Sequence, residues 1–288
     1  MRLPWLILVL APAAAAPALH FTGRAQLFEK GRVSTESSEI RIAFSPDGGR
    51  MLWGSTSRAG GPGGWDIWEC RRNGSGWGDP QPAAFDSPQN DFDPFVAPDG
   101  GVYFFSNRPD GMGGDDLYYA PYDAATGKYG TAYDLGDGVN TEGDEWAPTI
   151  SPDGTTLLFA SDGHKGKGLH DLFVSHRVAD MWADVKPLDA LNSALDDFDA
   201  AYLHDGHSIV FARRGKDEDA ASLYVGAWKD GRYAPPQKLG PAVNAPEAWN
   251  IGPAINPKEP GVLYWSSARP EASAGRMDVY SIKYSLAK

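Results

Sequence analysis

The chain has 288 residues, with 38 acidic against 26 basic side chains and a formal net charge of −12. Because this charge repels phosphate backbones and anionic lipids, it argues against nucleic acid and membrane surfaces as partners. The single cysteine, Cys70, excludes an internal disulfide, so packing must stabilise the fold.

The N-terminal residues 1–18 have the order of a secretory signal peptide. Arg2 precedes an apolar stretch from Leu3 to Pro12 that is too short to span a bilayer, and small residues follow up to Ala18. We expect cleavage after Ala18 and a periplasmic or secreted product. No other apolar run is long enough to cross a membrane, so the sequence predicts no transmembrane segment.

One turn phrase recurs along the rest of the chain. Its copies are Ser45-Pro46-Asp47-Gly48, Ala97-Pro98-Asp99-Gly100, Ser151-Pro152-Asp153-Gly154, the degenerate Leu203-His204-Asp205-Gly206, and a stretched copy from Asn256-Pro257 to Pro260-Gly261. The steps between the proline positions are 52, 54, 52 and 53 residues. Proline fixes φ and glycine accepts positive φ, so the phrase predicts a tight turn. Internal periods of this length are typical of propellers and solenoids.

Segments with the two-residue alternation of β-strands lie on both sides of each turn, and no helical period is visible. The sequence therefore predicts an all-β fold, a five-bladed β-propeller of four-stranded blades over residues 19–288. The blade repeats begin near residues 39, 91, 145, 197 and 250.

A fourth strand in each unit is expected to start at an aromatic residue and to reach a leucine six residues later. The pairs are Tyr129 and Leu135, Trp182 and Leu188, Tyr233 and Leu239, with a looser version beginning at Trp77. Phe21 and Leu27 repeat this spacing near the N-terminus, whereas the last unit ends after its third strand. We therefore predict that the N-terminal strand joins the last blade and closes the ring, which removes exposed sheet edges.

Further phrases accompany the turn, namely Ser106-Asn107-Arg108-Pro109-Asp110-Gly111, Gly114-Asp115-Asp116-Leu117-Tyr118, Asn90-Asp91-Phe92-Asp93-Pro94 and Gly143-Asp144-Glu145-Trp146-Ala147-Pro148. With the Ser-Pro-Asp-Gly turn, they resemble the TolB-type, WD40-like propeller repeat of bacterial envelope proteins. The resemblance implies a propeller fold and an envelope compartment. TolB itself has a six-bladed ring preceded by a small α/β domain. This sequence shows neither a sixth copy of the repeat nor a segment that resembles that domain.

One position in every repeat carries a carboxylate or an amide, seven residues before the proline position. The residues are Glu39, Asp91, Glu145, Asp197 and Asn250, each followed by an isoleucine or an aromatic residue, Ile40, Phe92, Trp146, Phe198 and Ile251. A closed ring would place them around one mouth of the central channel. We predict that the five polar residues, with Phe92, Trp146 and Phe198, form an electronegative mouth that binds a cation, a basic peptide or a polyol. The alternative is that each carboxylate accepts backbone N–H bonds from a neighbouring blade and serves the fold. The repetition of the position favours this alternative, because architecture repeats and active sites usually do not.

A second aspartate series, Asp66, Asp116, Asp171 and Asp278, lies where a loop meets a strand, and we interpret it as structural. Arg58, Arg108 and Arg269 are candidates to pair with these aspartates across the loop.

The sequence gives little support for a metal site or a cofactor. His164, His170 and His176 are evenly spaced, but six extended residues cover about 20 Å, so the three cannot share one ion. The stretches Asp196-Asp197 and Asp217-Glu218-Asp219 are acidic, yet neither has the ligand spacing of a calcium loop. We predict no metal and no cofactor, with Ca²⁺ as the weaker option.

Catalytic motifs of hydrolases, metalloproteases and nucleotide-binding enzymes are absent from the sequence. We predict a non-catalytic, monomeric envelope scaffold that binds a protein or a glycan. The alternative is a carbohydrate-active hydrolase of the five-bladed type, with Glu39, Asp91, Glu145 or Asp197 as acid and base. The equivalent positions of these residues argue against it, because acid and base need different environments. A small-ligand or calcium sensor is the third possibility.

Overall fold

The computed structural model describes residues 18–179, 181–216, 218–270 and 273–287. Every regular element in these residues is a β-strand. The expected signal peptide lies outside the described residues except for Ala18, and so does Asp217 of the second acidic stretch. The described part of the chain contains no helix that could span a membrane.

Five antiparallel sheets form the blades, and the strands of each sheet follow one another from the centre of the ring outward. Blade 1 consists of β2 (Ser38–Phe44), β3 (Arg50–Thr56) and β4 (Trp65–Asn73), with β5 (Gly76–Trp77) and β6 (Gln81–Pro82) both paired to β4. Blade 2 consists of β7 (Asp91–Val96), β8 (Val102–Ser106), β9 (Asp116–Ala120) and β12 (Tyr133–Asp134), and a separate hairpin joins β10 (Tyr122–Asp123) to β11 (Lys128–Tyr129).

Blade 3 consists of β13 (Glu145–Ile150), β14 (Thr156–Ser161), β15 (Asp171–Val178) and β16 (Met181–Pro187). Blade 4 consists of β17 (Asp196–Tyr202), β18 (Ile209–Arg214), β19 (Ser222–Gly226) and β22 (Gln237–Lys238), with a hairpin of β20 (Trp228–Lys229) and β21 (Arg232–Tyr233). Blade 5 consists of β23 (Asn250–Asn256), β24 (Glu259–Ser267), β25 (Asp278–Leu286) and β1 (Leu19–Leu27).

The five inner strands surround a central channel in a closed cycle. Strand β2 contacts β7, β7 contacts β13, β13 contacts β17, β17 contacts β23, and β23 returns to β2. We call the end of the ring where these strands begin the strand-start face. The opposite end, which carries the Pro-Asp-Gly turns, is the turn face.

The N-terminal strand completes the last blade. Strand β1 runs antiparallel to β25, with Leu19 opposite Leu286 and Leu27 opposite Tyr280. Blade 5 therefore contains the two ends of the described chain, and the predicted fold, a five-bladed propeller closed by its N-terminal strand, is confirmed.

The outer strands depart from the sequence prediction in three blades. Among the described outer strands, only β1 contains both residues of its pair, whereas the continuous strand β16 contains Trp182 and ends at Pro187, one residue before Leu188. In blade 4, Tyr233 belongs to the β20–β21 hairpin, and the outer strand is the separate pair Gln237–Lys238. Pro235 and Pro236 lie between them, and because proline has no N–H to donate to a ladder, the strand is interrupted. In blade 2, Tyr129 likewise belongs to β11 and not to β12.

Buried polar side chains fix the connections between blades. In blade 2, Asn140 accepts a hydrogen bond from the N–H of Leu117 (2.9 Å) and donates one to its carbonyl oxygen (3.0 Å). Asn192 and Asn244 repeat both bonds in blades 3 and 4, with Leu172 and Leu223. The equivalent residue of blade 1 is Asp86, which accepts from Ile67 (3.4 Å).

Candidate functional site

The five polar residues predicted to line a channel mouth are fully buried, at 0% exposure each. Glu145 accepts hydrogen bonds from the N–H (2.9 Å) and the hydroxyl (2.7 Å) of Thr141, and from Ser161 (2.7 Å). Glu39, Asp91 and Asp197 likewise accept an N–H from the residue four positions earlier. These donors lie in the loop that arrives from the preceding blade, so each carboxylate anchors the entry into its own blade.

The aromatic residues that follow them lie near one another at the strand-start face. Phe92 and Phe198 are buried and Trp146 is half-buried, with ring centroids of Trp146 and Phe198 6.5 Å apart. The indole of Trp146 donates to Asp115 (2.8 Å) and stacks on His170, with the ring centroids 3.9 Å apart. The structure therefore supplies a partly apolar surface at this end, rather than a ring of exposed carboxylates.

The second aspartate series holds the loops that precede the third strands. Asp116 accepts the N–H groups of Met112 (2.8 Å) and Gly113 (3.0 Å), and Asp171 and Asp278 accept equivalent pairs. The ion pair of Arg108 is with Asp91 (3.0 Å), so its predicted pairing with the aspartate of its own loop is wrong.

A bulge in every inner strand creates a third ring of residues. Register shifts interrupt all five inner pairings after Ile40, Phe92, Trp146, Phe198 and Ile251. The next residues are Arg41, Asp93, Ala147, Asp199 and Gly252, with φ of 50, 51, 53, 49 and 58°. A left-handed backbone is unfavourable for residues other than glycine, so its recurrence in all five blades marks a constrained part of the channel.

Arg41 closes the channel at the level of these bulges. Its guanidinium Nη2 lies within hydrogen-bonding distance of Ala147 O (3.2 Å), Pro148 O (3.2 Å), Thr149 Oγ1 (2.6 Å) and Ala200 O (3.2 Å). These acceptors belong to blades 3 and 4, on the opposite side of the ring from blade 1. The side chain is 2% exposed and therefore spans the channel as a plug.

Asp93 and Asp199 are neighbouring buried carboxyl groups beside this plug. Asp93 Oδ1 has no N–H or O–H donor, and its neighbour is the carboxyl group of Asp199, which accepts the N–H of Gly252 (2.9 Å). Burial, and then the charge of Asp199, raise the pKa of Asp93 well above its usual range. Burial also raises the pKa of Asp199, while Arg41 opposes that change. We therefore expect the pair to retain one proton, so that one negative charge balances the single charge of Arg41.

On the turn face, the plug forms the floor of a blind cavity of about 340 Å³, which we call the cup. All five inner strands contribute to its walls, which include Phe44, Phe95, Ile150, Tyr202 and Ile255. Its rim carries the prolines of the repeated turn, Pro46, Pro98, Pro152 and Pro257, with His204 at the degenerate copy. Among the described residues, none that lines the cup carries a carboxyl group.

Arg41, Asp93 and Asp199 were not predicted from the sequence. Their signal lies in the alignment of the repeats, where the fifth residue before the proline position changes between arginine, aspartate, alanine and glycine. The flanking positions keep their character from blade to blade. A charged residue that appears in only some blades is therefore a better indicator of a special site in this chain than one that recurs.

No protein-family model matches this chain, and no curated protein matches it in sequence. Among solved structures, it is similar to TolB from Acinetobacter baumannii, at a TM-score of 0.51 and 14% identity over 88% of this chain and 56% of that one. A putative TolB from Agrobacterium tumefaciens has a TM-score of 0.52 and 15% identity over 86% and 84% of the two chains. Endo-arabinase from Bacteroides thetaiotaomicron has a TM-score of 0.59 and 10% identity over 93% and 99%.

These likenesses concern the fold. The TolB structures confirm the resemblance inferred from the repeat at that level, and the chain spans about half the length of the first of them. Propellers with different roles share this architecture, because function depends on the residues placed on the scaffold.

Proposed function

We propose that this protein is a non-catalytic, exported binding propeller of the cell envelope, which accepts an apolar side chain or short segment of a partner protein in the cup. The observation that carries the proposal is that Arg41 blocks the channel and leaves a blind, mostly apolar cavity open to the turn face. Its volume of about 340 Å³ lies within the range of ligand pockets, about 300–1,000 Å³.

The chemistry of the walls favours a protein partner over a glycan. The side chains of Phe44, Phe95, Ile150 and Ile255 offer no hydrogen bonds, whereas a sugar needs many polar partners when it leaves water. The floor supplies one cationic group, and Arg41 Nη1 is buried without a hydrogen-bond partner. An apolar group that carries an acceptor or a negative charge fits this arrangement.

The same geometry argues against hydrolysis by two carboxylates in the cup. A retaining or inverting glycosidase needs two carboxyl groups about 5–9.5 Å apart on either side of the scissile bond. Asp93 and Asp199 lie within hydrogen-bonding reach of each other, and neither lines the cup. Glu39, Asp91, Glu145 and Asp197 are fully buried and already hold loops.

Anilinonaphthalene sulfonate, an apolar fluorophore with one negative charge, tests the cup directly. We expect saturable binding that Ala254→Trp, which fills the cavity, weakens at least tenfold. The matched control is Ala124→Trp, at an exposed position of the β10–β11 hairpin, which should bind like the wild type. Thermal melts check that all three proteins are folded in the assay, so that binding of the fluorophore by partly unfolded chains can be excluded. Equal binding by wild type and Ala254→Trp would contradict the proposal that the cup is a ligand site.

A turnover assay distinguishes the binding proposal from the hydrolase alternative. Purified protein incubated with arabinan and a panel of other glycans should release no reducing sugar above a blank. The contrary result is glycan hydrolysis by the wild type that is lost in Asp91→Asn or Glu145→Gln while the melting temperature is retained. That result would contradict the binding proposal and support the hydrolase alternative.

A further inference from the structure

A cluster of three possible metal ligands lies at the strand-start face of blade 3, opposite the cup. Asp144 immediately precedes β13, Asp162 immediately follows β14, and His170 immediately precedes β15. Because adjacent strands are antiparallel, these three positions meet at one end of the blade. One ligand atom from each residue lies within 4.8 Å of the other two.

His170 is oriented as metal-binding histidines usually are. Its Nδ1 lies 2.8 Å from Asp196 Oδ1, and Asp196 in turn binds Arg214 (2.8 Å). A carboxylate acceptor at Nδ1 selects the tautomer that leaves the lone pair on Nε2, as in carboxylate–histidine–metal arrangements. The ring is fixed further by stacking on Trp146 at 3.9 Å.

The Nε2 atom of His170 is an independent indication of a ligand. The residue is 9% exposed, and Nε2 is buried without a hydrogen-bond partner, which is costly for a polar atom. Nothing in the fold described above uses this nitrogen. A bound cation at the cluster would satisfy it.

The two aspartates retain capacity for a cation. Asp144 uses Oδ1 to accept the N–H of Asp115 (2.8 Å), and Asp162 uses Oδ1 to accept the N–H of Asp144 (2.8 Å). Each carboxylate has a second oxygen to offer. Asp162 is exposed, so an ion can enter from solvent and the side chain can rotate to close the site.

We propose that Asp144, Asp162 and His170 bind one divalent transition-metal ion, with Zn²⁺ as the probe. An imidazole nitrogen suits zinc and similar metals, whereas Ca²⁺ and Mg²⁺ are bound by oxygen ligands. Three protein ligands leave at least one position open to water or to an oxygen of a ligand. The site goes beyond the proposed function and does not depend on it, because the cup lies on the other face.

Zinc binding to the chelator-treated protein, measured by equilibrium dialysis and elemental analysis, tests this proposal. We expect one Zn²⁺ per chain and at least a tenfold weaker affinity in Asp144→Asn and Asp162→Asn. Both variants keep an Oδ1 that accepts the backbone N–H, so the fold should be retained. Asp79→Asn, at an exposed aspartate of blade 1, is the matched control and should bind like the wild type.

Cobalt substitution adds a spectroscopic readout of metal bound at the cluster. Co²⁺ should give visible absorption bands that disappear when Zn²⁺, which has a filled d shell, displaces it, and that are lost in Asp162→Asn. Absence of stoichiometric Zn²⁺, affinity unchanged in both aspartate variants, or binding of Ca²⁺ in preference to Zn²⁺ would each overturn the assignment.

Discussion

Asp86 differs from the asparagines that occupy its position in three other blades. Asn140, Asn192 and Asn244 carry both a donor and an acceptor, whereas an aspartate matches them only when it holds a proton. Burial, followed by the charge of Asp91, raises the pKa of Asp86 to about 9. The folded chain therefore binds this proton more tightly than the unfolded chain, whose aspartate pKa is about 3.9.

We predict that Asp86→Asn stabilises the protein at alkaline pH. Because the folded-state pKa is raised, the free energy of unfolding of the wild type falls as the pH rises from about 4 to about 9, and asparagine removes that loss. Thermal melts at several pH values should show a gain over wild type that is small near pH 4 and grows toward pH 8. A gain independent of pH would mean that Asp86 is charged in the folded state.

Arg41 is expected to be the most sensitive single residue in the channel. Arg41→Met removes the charge that balances Asp93 and Asp199, and loss of one partner of a buried charged group costs about 3–5 kcal/mol. Asp93→Asn, which imitates the protonated acid, should change stability little. Urea unfolding at pH 7 checks both, with the exposed Arg232→Met as the control. Similar losses in Arg41→Met and Arg232→Met would show that no charge balance exists in the channel.

Residues that repeat could be identified from the sequence, and those that act across the ring could not. Glu145 and its equivalents stood out because four of the five blades use the same carboxylate anchor for the loop that enters the blade. Arg41 reaches acceptors 106 to 159 residues away, and no local pattern records such contacts.

At the level of secondary-structure elements, the N-terminal strand β1 closes the ring by pairing with β25 of the last blade. The spacing of Phe21 and Leu27 predicted this pairing, and the register with β25 agrees with it. Side chains from β1 and β25 also enter the core, where Leu19 is 4% and Tyr284 6% exposed. The short outer strands of blades 2 and 4 were not predictable from the same spacing, because an aromatic residue and a leucine can belong to two separate segments.

Removal of residues 19–27 should open the ring. The deletion exposes the edge of β25, and an unpaired edge lowers stability and favours association between chains. We expect a lower melting temperature and oligomers in light-scattering chromatography, both reversed by a synthetic peptide of residues 19–27 and not by a scrambled one. A truncated chain that stays monomeric with an unchanged melting temperature would show that closure by β1 is dispensable.

On the scale of the whole molecule, the repeat determines the ring of five blades. The residues that depart from the repeat determine the structure of the central channel. The steps of 52 to 54 residues predicted five blades, which the structure has. The cup depends on Arg41 in blade 1, on the bulges of the inner strands and on prolines brought together from distant parts of the chain. Its position on the turn face was not predicted, because the sequence shows the prolines only as parts of separate turns.

Isoleucine methyl groups lie on both sides of the plug and report which face a ligand occupies. Ile150 and Ile255 line the cup, whereas Ile40 and Ile251 precede the bulges on the side of the strand-start face. In a titration with anilinonaphthalene sulfonate followed by methyl NMR, we predict that the resonances of Ile150 and Ile255 shift and those of Ile40 and Ile251 do not. Shifts confined to Ile40 and Ile251 would contradict a binding cup on the turn face.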